Sequence, residues 1–264
     1  MLKTRLIPVL LLKDGMLIRS ESFSVHQFIG DPFHEVLRYN EWSVDELIYL
    51  DISRSDIYDR GRHDIKVKQM SGVLDLLPQI ARSCFVPLTF GGRIRTVEDI
   101  RARLALGADK ITINTAAVDT PDLITRGAET FGSQCMVVCI DARRHADGRY
   151  EVFVDGGRRA TGLDVVAWAR EVERRGAGEI LLQSIDRDGL AAGYDYDLIR
   201  PVVQAVSIPV IALGGAGQYE HFGDVVRQTG VSAVAAANIF HFKELTDRFI
   251  KREMTKMGVP IREH

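Results

Sequence analysis

The sequence predicts one domain of the α/β class, a (β/α)8 or TIM barrel with a twofold half-barrel repeat, and three observations predict it. Short runs rich in Val, Ile and Leu alternate with longer amphipathic segments, the pattern of repeated strand-helix units around a parallel sheet. Eight such runs fit into 264 residues, a length at which one barrel closes and no second domain is needed. The chain also echoes itself: "FGGRIRT" (90–96) returns as "LGGAGQY" (213–219), and the offset joining Gly91 to Gly214 also joins Gly107 to Gly230.

The strands are expected at 5–12, 46–51, 86–90, 109–113, 136–141, 179–183, 209–213 and 232–236. Several are nearly continuous apolar runs, as strands buried on both faces should be. Helix starts follow at "GDP" (30–32), "TPD" (120–122) and "GYDYD" (193–197), where Asp and Pro suit the first turn. The segment "GRYEVFVDGGRRATG" (148–162) alternates apolar and polar residues around a Gly-Gly turn and reads as a hairpin inserted after strand five of a single domain spanning 1–264. "DELIYLDIS" (45–53) is answered by "GEILLQSIDRDG" (178–189), so strands one to four and five to eight read as two copies of a half-barrel.

Lys and Arg total 34 against 36 Asp and Glu, a formal charge of −2, so no global basic field points to nucleic acid or a membrane surface. An anionic ligand must be held locally. No run approaches the ~20 apolar residues of a membrane span, and the apolar run at the start is too short for a signal peptide, which predicts a cytoplasmic protein. Cys84, Cys135 and Cys139 have neither the number nor the spacing of a zinc site or a disulfide framework and read as buried apolar filler. Neither a metal nor a cofactor is expected.

Ligand sites of such barrels lie at the C-terminal ends of the strands. The paired glycines Gly91–Gly92 and Gly214–Gly215 let the backbone approach an anion, although a Gly-Gly pair also suits a plain tight turn. Each is followed by a strand ending in small polar residues, "INTAA" (113–117) and "AAANIF" (235–240), so two phosphate sites are expected, with Asn114, Thr115 and Asn238 as side-chain donors. Asp51, Asp141 and Asp188, the last with Gly189 in "DRDG", fall at strand ends where function and helix capping compete as readings. Asp141 directly ends "MVVCID" and should point into the mouth. At the opposite end, Arg5, Glu46, Lys110 and Glu179 start strands one, two, four and six. They are either solvated separately or meet as a network that closes a central channel.

These residues resemble the cyclase subunit of imidazole glycerol phosphate synthase along essentially the whole chain, through "RLIP", "KDG", "GADKITINTAAV", "RGAGEILL" and "GGAG" among other stretches. The resemblance implies a twofold barrel with phosphate sites at the half-repeats and a glutaminase docked on the floor. Its ammonia gate falls on Arg5, Glu46, Lys110 and Glu179, and its glutaminase-contacting acidic position falls on Asp109. Of its two catalytic aspartates one is Asp141, while the other falls on Leu11, a side chain that can neither take nor give a proton. Arg93 stands where the third glycine of a Gly-Gly-Gly turn belongs, Leu213 where a serine precedes the second pair, and Arg19 where a lysine belongs.

With the floor kept and the mouth rebuilt, the chain resembles a subgroup associated with sugar amidation in surface-polysaccharide synthesis, which shares "LLLKD" and "TGVSAVAAANIFHF" (229–242). That likeness implies a complex with a glutaminase and an ATP-dependent sugar amidotransferase, in which ammonia turns an acetamido group of a nucleotide sugar into an acetamidino group. Two alternatives stand beside it: a true cyclase acting on a bis-phosphorylated ribotide, and a barrel that only binds a phosphorylated small molecule.

Overall fold

A computed structural model describes residues 3–58, 70–242 and 246–262 of the chain. Eight parallel strands close a barrel in the order β1 (Arg5–Lys13), β4 (Leu47–Asp51), β5 (Leu88–Gly91), β6 (Lys110–Ile113), β7 (Met136–Arg144), β10 (Glu179–Ser184), β11 (Val210–Leu213) and β12 (Ala233–Ala236). Closure is made by β12 pairing in parallel with β1, Arg5 opposite Ala233. Helices α1 (Pro32–Glu41), α2 (Val73–Ser83), α3 (Val97–Ala105), α5 (Asp122–Phe131), α6 (Val165–Arg174), α7 (Tyr196–Ala205), α8 (Glu220–Thr229) and α10 (Thr246–Lys256) lie between and after the strands. The short helices α4 (Thr115–Asp119) and α9 (Ile239–Phe242) begin just beyond β6 and β12. Among the described residues, no helix is long and apolar enough to cross a membrane.

The apolar runs form strands buried on both faces. Along β1, Leu6, Leu10 and Leu12 pack outward into the layer shared with the helices. Ile7, Val9 and Leu11 point the other way, into an inner cluster with Ile48, Val137, Cys139, Leu181, Ile211, Leu213, Ala233 and Ala235. Period-two alternation thus persists, but both faces are apolar and the sequence reads as one continuous run. Helix starts follow the expected chemistry: Asp31 caps α1 by accepting from the Phe33 amide, and Asp195 caps α7 by accepting from Leu198.

The repeat shows in the strands: Lys110 starts β6 as Ala233 starts β12, the spacing that also joins Gly91 to Gly214. Each half carries an antiparallel hairpin on its long first strand. Residues Asp141–Arg144 of β7 pair with β8 (Tyr150–Val154), which pairs with β9 (Arg159–Asp164). Leu11–Lys13 of β1 pair with β2 (Met16–Glu21), which pairs with β3 (Val25–Gly30). The sequence reading contains no counterpart to this second arm, and it covers the mouth.

The C-terminal helix is fastened to the floor by Asp45, whose carboxylate accepts from the Leu6 amide at 2.7 Å and pairs with Lys251 of α10 at 3.4 Å. Asp45→Ala leaves both donors short of their acceptor and is expected to cost about 2 kcal/mol, read as a lower denaturant midpoint at unchanged slope.

Candidate functional site

At the floor, the four charges starting β1, β4, β6 and β10 converge into a ring. Arg5 donates to Glu46 at 2.7 Å and to Glu179 at 3.0 Å, and Lys110 donates to the same two carboxylates at 3.0 Å each. Their side chains are only 7–16% exposed, so mutual pairing, not solvent, satisfies them. Burial alone would lower the Arg5 pKa, but the two neighbouring carboxylates outweigh it and raise it. Burial alone would likewise raise Glu46, and Arg5 and Lys110 reverse the sign and hold it low. One oxygen, Glu179 Oε2, is buried without a hydrogen-bond partner among the described residues. Asp109 is exposed beside the ring, and its carboxylate accepts from the Leu88 amide at 2.8 Å.

The other end of the axis is polar. Asp141, 5% exposed, ends the inward face of β7 in register with Gln183 of β10. The Cys139 thiol donates to its Oδ1 at 3.3 Å, and the Asn114 side chain also bonds to it. Burial pushes the Asp141 carboxyl up to about 7; those two hydrogen bonds oppose the rise and the charge of Asp188 adds to it. A carboxyl titrating there exchanges a proton readily near neutral pH.

A cavity of about 200 Å³ opens at the second half of the mouth. Its polar wall includes Ser20, Gln183, Asp188, Gly189 and Asn238 with the turn from Gly214 to Gly217, and its apolar wall includes Leu11 and Leu213. Arg19 lines it as well. Asp188 accepts from the Ser20 hydroxyl at 2.7 Å and the Phe23 amide at 3.1 Å, and the Asn238 amide donates to the Ser20 carbonyl at 2.9 Å. Both residues therefore hold the β2–β3 arm over the cavity. Burial raises the Asp188 pKa, with the Ser20 and Phe23 bonds opposing.

The first half of the mouth is arranged differently. Gly91, Gly92, Asn114 and Thr115 do not line that cavity. Thr115 Oγ1 accepts from the Asp155 amide of the β8–β9 turn at 3.1 Å, and Asn114 Oδ1 is buried without a partner among the described residues. Arg93 turns away from the axis and pairs with Asp51 at 3.0 Å and Asp56 at 2.8 Å. Its φ of 49° lies in the left-handed region that glycine favours, a cost these ion pairs offset. Asp51 also accepts from Tyr58 and Ser53, so it braces residues 53–58 just beyond β4. The glycine pairs have packing reasons of their own: a Cβ at Gly92 would strike the Asp51 carbonyl, and one at Gly215 the Gly193 carbonyl, both at positive φ.

The reading of the cysteines as buried filler needs correction. Cys84 and Cys135 are only partly buried, and Cys139 touches the mouth carboxylate. Sequence reasoning passed over Cys139, Gln183 and Ser20; the inward parity that Cys139 shares with Asp141 on one strand was the available signal.

Fold and site together define a class, a twofold (β/α)8 barrel with an ion-pair ring closing one end of its axis and, at the other, a cavity lined by Asp188, with Asp141 outside its lining but next to the wall residue Gln183. The profile of the histidine biosynthesis protein family matches residues 5–246. Imidazole glycerol phosphate synthase subunit HisF from Caulobacter vibrioides, in strain NA1000 / CB15N and in strain ATCC 19089 / CIP 103742 / CB 15, is 46% identical over 263 residues, covering 99% of this chain and 97% of the relative. The chain belongs to this family.

That match overturns the expectation of a sugar-amidating complex with a sugar amidotransferase, because the relatives matched end to end are synthase subunits of this name. The features behind that expectation were Leu11, Arg93, Leu213 and Arg19 at the mouth, with the "LLLKD" and "TGVSAVAAANIFHF" stretches. The two leucines alter one wall of the cavity and leave barrel and floor ring intact.

Proposed function

We propose that this protein is the ammonia-accepting cyclase subunit of an imidazole glycerol phosphate synthase. A glutaminase docked on the floor beside Asp109 supplies ammonia, and the mouth binds the bis-phosphorylated ribotide that ammonia closes and cleaves to imidazole glycerol phosphate and aminoimidazole carboxamide ribotide. The observation that carries this reading is coaxial placement: the ring of Arg5, Glu46, Lys110 and Glu179 closes one end of the barrel interior and Asp141 stands at the other. Between them the wall is largely apolar, through Ile7, Val9, Ile48, Val137 and Leu181, which favours passage of neutral ammonia over ammonium.

At the mouth, Gly214, Gly215, Gly189 and Asn238 line the cavity and hold one phosphate; the other takes the Gly91–Gly92 turn outside that cavity, beside Asn114 and Thr115, whose side chains also bond to Asp141 and the Asp155 amide. Ring formation needs a proton taken from one nitrogen and one given to another group. Asp141 does both in turn, since Leu11 offers no second carboxyl, and a pKa of about 7 suits a group used in both directions.

The test is turnover of the ribotide by purified protein with ammonium salts, measured for the natural chain and for Leu11→Asp. Both should be active, with Leu11→Asp faster by about tenfold because proton transfer is shared again. Its melting temperature should fall, since Leu11 belongs to the inner apolar cluster. No turnover by the folded natural chain overturns the reading, whether or not Leu11→Asp is active.

A further inference from the structure

We propose that Cys139 is a positioning residue for Asp141: its thiol donates to Oδ1 and holds the carboxyl in the rotamer that faces the mouth. This rests on the reading of Asp141 as the proton-transfer group. The two residues alternate on β7 and share its inward face, with the Sγ to Oδ1 separation at 3.3 Å and both side chains buried. Cys139 is packed in the inner cluster with Val137, Leu181 and Leu11, and the Asn114 side chain reaches the thiol as well as the carboxyl.

On the other side, Asn114 at the end of β6 bonds to the same carboxyl, while its own Oδ1 has no partner among the described residues. The carboxyl is therefore held between a thiol and an amide. Gln183 lies beside it on β10, and Asp188 beyond β10 is the charged group that acts on it among the described residues. With Leu11 in the inner cluster, no second carboxyl at that position fixes how Asp141 is turned. The thiol is a weak donor, but its burial strengthens the bond relative to one in water.

The experiment follows the Asp141 carboxyl by carbon-detected NMR across pH in the full chain, alongside the pH dependence of ammonium-driven turnover, for Cys139→Ala and Cys139→Ser. Alanine removes a donor to the charged form, so the midpoint should rise by about half a pH unit or more. Serine supplies a stronger donor, so the midpoint should fall. Opposite signs are the diagnostic, because a void or loosened packing would move both variants the same way. Midpoints that stay put, or that shift together, overturn the proposal. If Cys139→Ala does not fold, the sign in Cys139→Ser decides alone. A shifted NMR midpoint without turnover in any variant leaves Cys139 in its role and removes the cyclase reading instead.

Discussion

Asp141→Asn is expected to lower ammonium-driven ribotide turnover by about 10³-fold while raising the melting temperature at pH 8. The first effect follows from its place as a mouth carboxyl that titrates near neutrality: an amide keeps the shape but carries no transferable proton. The second follows from linkage. The carboxyl titrates at about 7 in the folded protein against an ordinary value of 3.8, so the folded state holds its proton more tightly than the unfolded state does. Stability from this group is therefore fully present below 3.8, declines as pH rises between 3.8 and 7, and is lost above that. At pH 8 the charged, buried carboxylate costs up to ~4 kcal/mol, and removing the charge should raise the melting temperature by up to about 8–13 °C. Near pH 4 that gain should vanish. Scanning calorimetry at both pH values and a ribotide assay check the two halves separately. Turnover within threefold of the natural chain would show that Asp141 is not the proton-transfer group.

How far the sequence carries this picture depends on the kind of interaction. The eight barrel strands were legible because each buries both faces, and the apolar runs at "MVVCI" and "VIAL" register that directly. The β2–β3 arm was not. Its second strand is largely exposed, so burial leaves no alternation in "VHQFIG", and the arm is held by Asp188 and Asn238 from more than 160 positions away. The twofold repeat carried the missing signal, since the hairpin on β7 implies a mate on β1. Arg93 shows the reverse failure. In the sequence it is only an arginine where the third glycine of a turn belongs, and the tertiary fold alone reveals Asp51 and Asp56 as its partners. The floor ring lies between: its residue types stand at strand starts in plain sight, yet whether Arg5 meets Glu179, 174 positions away, is set by barrel closure alone.

Removing Glu46 tests that ring in both its structural and conducting parts. Glu46 takes Arg5 on one oxygen and Lys110 on the other, whereas Glu179 takes both cations on a single oxygen. Glu46→Ala thus deprives two nearly buried cations at once and should cost about 3 kcal/mol, a drop of about 6–10 °C in melting temperature. The Glu46 carboxyl is held below its ordinary pKa, so its contribution is present above the unfolded value and is lost as pH falls through the folded one; the deficit of the variant should shrink toward pH 3. The pair of substitutions Glu46→Leu and Lys110→Leu removes one charge of each sign and should restore part of the lost stability, because apolar groups of similar volume do not leave a buried charge stranded. Function should separate from stability. Ammonia that must enter by the floor meets an altered gate, whereas ammonium added in bulk can reach the mouth directly. In a complex with a glutaminase, the ratio of glutamine-driven to ammonium-driven turnover should therefore fall by about tenfold in Glu46→Ala, a loss of ~1.4 kcal/mol in coupling, at temperatures where the variant is fully folded. Equal losses in both assays would make the ring a structural clasp with no part in conduction.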